Sequence, residues 1–417
     1  MIRGAHRAGR LVGRDLATTF LWWTAMRAVF HRGYVLVSGL YFVIDAHLSA
    51  VELVVLGTAV SVTLLLSDLP TGVWSDALSR KWPLVIGHLL LAAGMVLTGA
   101  VTAFALLAVS QVLWGLGWGF SSGADVAWIT DELDQPDRIA RVLTARARWD
   151  LVGAAIGMVA FGVLGWATGL ATAIMASGVA MALLGLFVVT QFAEDNFTPT
   201  HKPWWSTSRS IFRRGVTLAR RDHEILRVFA ATALINGASM AAWLFPKQLL
   251  DRGFPNEPVL WYTALGILSF GVGIAALRIV EAHIDRVGAA GRMYALTCLI
   301  GLLGLLVLAY APAALIGSVG VLLVSGVAFN VTRAVSVIWV NRRTTSDVRA
   351  TVHSFLSQAE SLGEIVSGFL LAVVARTADT PIVLVTSAAL IALAGAIVAR
   401  SGADRIPTPV APAGPTH

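Results

Sequence analysis

The chain is a succession of apolar stretches, each about 20 residues long, set between short polar links,. That pattern alone restricts what it can fold into. A stretch of this length is what an α-helix needs to cross the hydrocarbon core of a bilayer. In lipid each backbone N–H and C=O must be satisfied within the structure, and an uninterrupted apolar run does this as a helix. Twelve stretches can be marked, at 17–44, 51–76, 82–101, 103–131, 142–166, 168–190, 227–250, 258–281, 293–310, 312–340, 349–375 and 381–399. With 57% hydrophobic and 13% charged residues, the chain has too little polar surface for a water-soluble body of 417 residues,. The single cysteine, Cys298, lies inside an apolar stretch, which excludes a disulfide framework and a multi-cysteine metal cluster,. The first stretch is too long for a cleavable signal peptide, and no small-residue cleavage site follows it,.

Arginine and lysine set the expected orientation, because positive charge stays on the cytoplasmic side. Arg3, Arg7, Arg10, Arg14, Arg80, Lys81, Arg138, Arg141, Arg146 and Arg148 fall on one side. So do the basic residues from Lys202 to Arg227, then Arg286, Arg292, Arg342, Arg343, Arg349, Arg400 and Arg405. The other side holds Arg252 and Arg376. The net charge of +7 is therefore read as a topology signal, and a nucleic-acid partner is not needed to explain it. The expectation is a multi-pass protein of the inner (cytoplasmic) membrane with both termini in the cytoplasm.

The longest polar link, 191–226, divides the stretches six and six. The expected organisation is a six-helix bundle over 1–190, a linker over 191–226, a second six-helix bundle over 227–400 and a disordered tail over 401–417. The linker mixes Trp204, Trp205, Ile211 and Phe212 with Arg209, Arg213, Arg214, Arg220 and Arg221. It reads either as an amphipathic helix on the membrane surface or as a solvated basic connection.

Between the second and third stretches stand Gly72, Asp76, Arg80 and Lys81, in a charged turn over 68–81. A related segment, Asp285-Arg286-Val287-Gly288, recurs half the chain later. Asp150-x-x-Gly153 likewise has a counterpart in Glu360-x-x-Gly363 at nearly the same offset. Two matched pairs at one offset indicate duplicated halves, a known transporter architecture.

Twelve stretches split six and six, cytoplasmic termini and the Gly72-Asp76-Arg80-Lys81 pattern together resemble the major facilitator superfamily over essentially the whole chain. The resemblance implies an all-α membrane protein of twelve transmembrane helices in two six-helix pseudo-repeats. It implies a secondary transporter working by alternating access, not an enzyme, with no cofactor or metal and a monomeric state. It further implies that Asp76 pairs with Arg349 at the start of the eleventh helix. Arg80 would meet Asp131 or Glu132 at the end of the fourth, and these contacts would latch the outward-facing state. Two positions depart from the pattern of the family's proton-coupled exporters. Gln111 stands where they carry an arginine ahead of Gly115-x-Gly117, and Met158 stands where a proline follows Gly153-x-x-x-Gly157.

Ionisable side chains inside membrane stretches are costly and mark cavities or partners. Arg27 and His31 are one helical turn apart, with Arg32 and Tyr34 beyond,. Asp125 sits among small residues, and Asp150, Arg333, Glu360 and Glu364 lie in later stretches. In the family helices one, four, seven and ten line the central cavity. By that resemblance Arg27, His31, Tyr34, Trp128, Asn236, Trp243, Asn330 and Arg333 become candidate substrate-contacting residues, with Trp339 as a further aromatic wall. Asp125, Asp150 and Glu360 become candidate proton carriers. The plainer reading is that Arg27 with Asp125, and Arg333 with Glu360, are buried ion pairs holding helices together. Lys247 reads as a snorkelling residue, and His88, His283 and His353 as interfacial ones.

Two transport functions follow, each with a small-molecule substrate, membrane lipid and, for the first, protons as partners. One is proton-coupled efflux of amphipathic compounds or drugs. The other is import or facilitated passage of a small polar or anionic metabolite, which Arg27, Arg32 and Arg333 would suit. A membrane enzyme or receptor is disfavoured, since the chain has no His-Glu-x-x-His, no phosphate-binding Gly-rich loop and no sizeable soluble domain,.

Overall fold

The computed structural model describes residues 15–199, 223–254, 257–286, 288–344 and 346–399, and the side chains of 69, 73, 76 and 346–351 lie outside that description. Among the described residues twelve helical spans run in chain order. In the first half they are α1 (Leu16–Ile44), α2 (Ala50–Ala77), α3 (Lys81–Ala100), α4 in two pieces (Phe104–Ser121 and Ala124–Leu133), α5 (Pro136–Thr168) and α6 (Leu170–Gln191). In the second, α7 runs His223–Ser239, a 3-10 turn Met240–Leu244 and Phe245–Asp251. Then follow α8 (Pro258–His283), α9 (Ala289–Tyr310), α10, α11 (Ser346–Thr377) and α12 (Thr380–Ala399). α10 is Ala314–Val321, a π-helical turn Leu322–Ala328 and Phe329–Arg343. Among the described residues no strand occurs. Eleven of the spans are long and apolar enough to cross a membrane. α1 is the twelfth, its mean hydropathy lowered by Arg27, His31 and Arg32.

Local chemistry sets several boundaries. Ser49 and Glu52 form a reciprocal capping box that starts α2: the Ser49 hydroxyl accepts from the Glu52 N–H, and the Glu52 carboxylate from the Ser49 N–H at 2.8 Å,. α2 does not stop before the charged turn. It continues to Ala77, so Gly72 and Asp76 occupy its last two turns and only Leu78, Ser79 and Arg80 form the link to α3. The spacing of four in the motif is one helical turn, and the helix carries it through. α5 begins at Pro136, earlier than the apolar stretch does, with the proline in its first turn,. This extension places Arg138 and Arg141 on the helix itself. α7 loosens into its 3-10 turn just before Pro246, which has no N–H for the helical ladder,. α4 breaks at Ser122 and Gly123, where Gly123 takes a left-handed φ of 76° that a side chain would disfavour,.

Packing repeats with a shift of six helices. α1 packs on α5 and α6, α2 on α4, and α3 on α4 and α6. Likewise α7 packs on α11 and α12, α8 on α10, and α9 on α10 and α12. The halves meet through α2 with α11 and α5 with α8, which the same shift exchanges, as a two-fold axis requires. Gly153 and Gly157 let α5 lie directly on the α1 backbone at Ala25 and Val29, and Gly363 does the same for α11 against Ala233 of α7. A Cβ at any of the three would overlap backbone atoms,. The two acid-x-x-Gly segments thus sit at corresponding helix crossings.

Candidate functional site

The break in α4 builds the charged centre. After Gly123 the chain re-enters a helix at Ala124, so Asp125 falls in a first turn, where backbone N–H groups are unpaired,. Its side chain is 2% exposed. One carboxylate oxygen accepts from the Val126 N–H at 2.9 Å. The other accepts from Arg146 Nη2 at 2.5 Å and Nε at 3.2 Å, with Arg27 Nη1 3.6 Å away. Three helices, α1, α4 and α5, are joined through this one carboxylate. The Arg27 guanidinium lies over the rings of Trp118 (4.9 Å) and Trp23 (5.5 Å), which adds attraction of about 0.5–2 kcal/mol per ring in a dry setting,.

One turn further along α1, His31 stacks on Trp118 at 4.5 Å and on Trp114 at 5.4 Å. These tryptophans are successive turns of α4, 5.9 Å apart and nearly parallel. The stack divides two chambers. One, of about 470 Å³, is lined by Arg27, His31, Arg32, Trp118, Asp125, Arg146 and Asp150. The other, of about 320 Å³, lies between the halves and is lined by Tyr34, Phe42, Trp114, Trp243, Pro246 and Tyr262. The first is charged and the second aromatic. Buried Arg27 Nε, His31 Nε2 and Trp114 Nε1 have no hydrogen-bond partner among the described residues.

Tyr34 lines the aromatic chamber and is held in place. Its hydroxyl meets Thr98 Oγ1 at 3.1 Å and accepts from Gln111 Nε2 at 2.9 Å. Gln111, 2% exposed, is thereby an uncharged anchor at the position where the resemblance would place an arginine. Trp243 packs on Gly57 of the other half and stacks with Phe42 at 6.2 Å. In the second half Arg333 Nη2 stands 3.6 Å from Glu360 Oε2, with the Arg333 side chain 71% exposed. One turn on, Glu364 accepts from Ser61 Oγ at 2.7 Å across the two halves.

Other sequence candidates lie elsewhere. Trp128 is fully buried, donates to the Ala193 carbonyl at 2.7 Å and stacks on Phe192 at 3.9 Å, so it anchors the start of the linker and lines neither chamber. Trp339 packs edge-on against Tyr294. Asn236 spends its amide N–H on the Thr232 carbonyl, and Asn330 on Ser325 and Gly326 at the π turn. His88 is not interfacial: it is fully buried between α3 and α1, accepting from Trp23 Nε1 at 3.2 Å. Lys247 pairs with Asp251 at 3.5 Å. Asp150 is exposed to the charged chamber.

At the arginine-rich face, Arg80 Nε meets Asp131 Oδ2 at 3.2 Å, while Glu132 accepts from the Asn196 N–H at 2.9 Å. Glu194 caps the start of α3: it takes the N–H groups of Arg80 and Lys81 (the latter at 3.2 Å) and the Ser79 hydroxyl at 2.7 Å. The Asp76 and Arg349 side chains, and the linker residues Trp204 to Arg221, lie outside the described residues. Hydrogen bonds between the halves include Ser61–Glu364 and Trp166–Glu257, at 2.7 and 2.5 Å. Both lie away from the arginine-rich face, where Arg80–Asp131, Arg138–Asp15, Arg227–Glu224 and Arg342–Asp285 each pair within one half.

Sequence reasoning passed over Arg146, Trp118, Glu194 and the Ser61–Glu364 contact. Arg146 had been grouped with the orientation-setting arginines. Its spacing of one turn from Asp150 was the available signal.

The sequence profile of the Major Facilitator Superfamily matches residues 13–368. No curated protein matches the chain by sequence. Among solved structures, the nucleoside transporter NupG is similar at 14% identity and a TM-score of 0.74, over 93% of this chain and 99% of that one. A bacterial homologue of the human lysosomal transporter Spinster, in an inward-facing and unoccupied conformation, is similar at 12% identity and a TM-score of 0.69, over 92% and 95%. The peptide transporter POT is similar at 13% identity and a TM-score of 0.67, over 92% of each chain. At such identities the likeness is one of fold.

Proposed function

The chain belongs to the Major Facilitator Superfamily, and from that premise we propose that this secondary transporter carries an amphipathic small molecule, coupled to protons, outward across the cytoplasmic membrane. The carrying observation is the aromatic chamber between the halves, with Tyr34, Phe42, Trp114, Trp243 and Tyr262 around about 320 Å³. Such a lining binds ring-bearing, poorly hydrated cargo. The charged chamber beside it supplies what proton coupling needs: carboxylates that exchange guanidinium partners for protons as the helices move. Asp125 and Asp150 in that chamber, and Glu360 in the second half, are the candidate carriers, and linkage makes proton and cargo binding interdependent if both prefer one conformation,.

The bundles 1–190 and 227–400 would rock as units about the α2–α11 and α5–α8 contacts. Asp76 and Arg349 would meet when the arginine-rich face closes, alongside the Arg80–Asp131 pair. The register set by Ser61 with Glu364 along antiparallel α2 and α11 leads toward that pairing. By the distribution of arginine, this face is the cytoplasmic one and holds both termini.

A second reading, inward movement of a polar metabolite, is favoured by the uncharged Gln111 and by the nucleoside and peptide cargoes named for the similar structures. Proteoliposomes with an imposed pH gradient test both. Labelled aromatic compounds should accumulate against their own gradient only while the pH gradient lasts. Asn or Gln in place of the carrier acid should abolish that. Flux that ignores the pH gradient refutes proton coupling, and flux of polar metabolites alone refutes the amphipathic cargo. Loss of the gene should raise sensitivity to toxic amphiphiles if transport is outward.

A further inference from the structure

We propose that Arg32 is the anchor for a carboxylate on the cargo, so that the transported molecules are aromatic anions; this rests on the aromatic-chamber reading above. Arg32 stands in the middle of α1, where an uncompensated charge is costly and points to function,. Three other arginines within the spans are already engaged. Arg27 and Arg146 share Asp125, and Arg333 pairs with Glu360. Arg32 alone of these four arginines makes no ion pair or hydrogen bond among the described residues, and it is exposed into the charged chamber. Asp150 lines the same chamber but is not within ion-pairing distance. The lining thus holds three guanidiniums, Arg27, Arg32 and Arg146, against two carboxylates, Asp125 and Asp150. One positive charge is left over, and it belongs to the side chain with a free donor fork.

A guanidinium with its fork open matches a carboxylate in both shape and charge. Immediately beside it is the His31–Trp118–Trp114 stack, which separates this chamber from the aromatic one. His31 Nε2 and Trp114 Nε1 are buried and unpartnered along that divider, so a polar substituent on the cargo finds further groups there. An aromatic carboxylate would set its anionic group on Arg32 and its ring against the tryptophans of the dividing stack, Trp118 on the charged side and Trp114 on the aromatic side.

The test is equilibrium binding to the purified full chain in detergent, using 2-naphthoate and its neutral isostere 2-naphthamide. The wild type should hold the carboxylate about tenfold more tightly than the amide, the scale of one charge-assisted hydrogen bond. Arg32→Gln should bring the two affinities together while leaving the amide unchanged, and that unchanged value also reports an intact fold. Arg32→Lys should keep part of the preference. Equal binding of both probes by the wild type, or a preference that persists in Arg32→Gln, overturns the anion anchor and leaves the aromatic chamber standing. Binding of neither probe overturns the aromatic-chamber reading and the anchor with it.

Discussion

At the scale of single residues, Asp125 is the most committed group in the molecule. It is buried, held by two arginines and joined to three helices. Removing one partner of a buried ionic cluster leaves the others uncompensated, at a cost of about 3–5 kcal/mol. Asp125→Asn should therefore lower the thermal unfolding temperature in detergent markedly and abolish gradient-driven transport. Adding Arg146→Gln should recover part of the stability without recovering transport. An Asp125→Asn protein that melts with the wild type would show that the cluster is not structural. The Arg27–Asp125 pairing was legible in the sequence, because both are ionisable groups stranded in apolar stretches. Arg146 was not, since an arginine near a cytoplasmic boundary is ordinarily a topology anchor. Only the break in α4, which sets Asp125 beside it, shows that it is spent in the cluster. Trp128 misled for a related reason: its position on the fourth helix suggested the cavity, but the break at Gly123 re-aims the last piece of that helix toward Phe192 and the linker.

At the scale of helices, lengths and order were legible, while irregularities were not. Hydropathy counts residues and does not register a left-handed glycine, a 3-10 turn or a π turn. The close crossings are a sharper matter. Gly157 against Val29 and Gly363 against Ala233 leave no space for any side chain. Gly157→Leu and Gly363→Leu should each destabilise by about 1–3 kcal/mol or more through overpacking, read as a fall in melting temperature. Gly72 is the contrast, since a Cβ there would meet nothing within 4 Å. Gly72→Leu should melt with the wild type yet slow transport, if α2 must approach another helix closely when the arginine-rich face closes. Normal transport by that variant would remove the glycine from the gate.

At the scale of the whole molecule, α2 and α11 join the halves away from the arginine-rich face, through Ser61 with Glu364 among the described residues. Thr58 and Gly368 face each other across α2 and α11, with a Cβ on Gly368 lying 3.2 Å from Thr58 Cβ. With the single native cysteine replaced by alanine, Thr58→Cys with Gly368→Cys should crosslink under mild oxidation and stop transport until reduced,. Full activity of the crosslinked protein would mean that this contact never opens. Asp76→Arg and Arg349→Asp should each impair transport, and the two together should restore it if they pair in the closed state. Failure of the double variant to exceed either single one removes that latch.

The sequence by itself determined the class of fold, since runs of about 20 apolar residues admit only spanning helices in lipid. It also determined the duplication, because the acid-x-x-Gly segments recur half the chain apart at crossings that demand glycine. Tertiary structure alone decided that Arg146 is spent on Asp125 and that Arg32 remains free among the described residues. Ion pairing depends on distances between helices far apart in the chain. Arg27, Arg32 and Arg333 look alike in the sequence, and Arg146 reads there as a topology anchor. Three find carboxylates, and Arg32 is left facing the cavity.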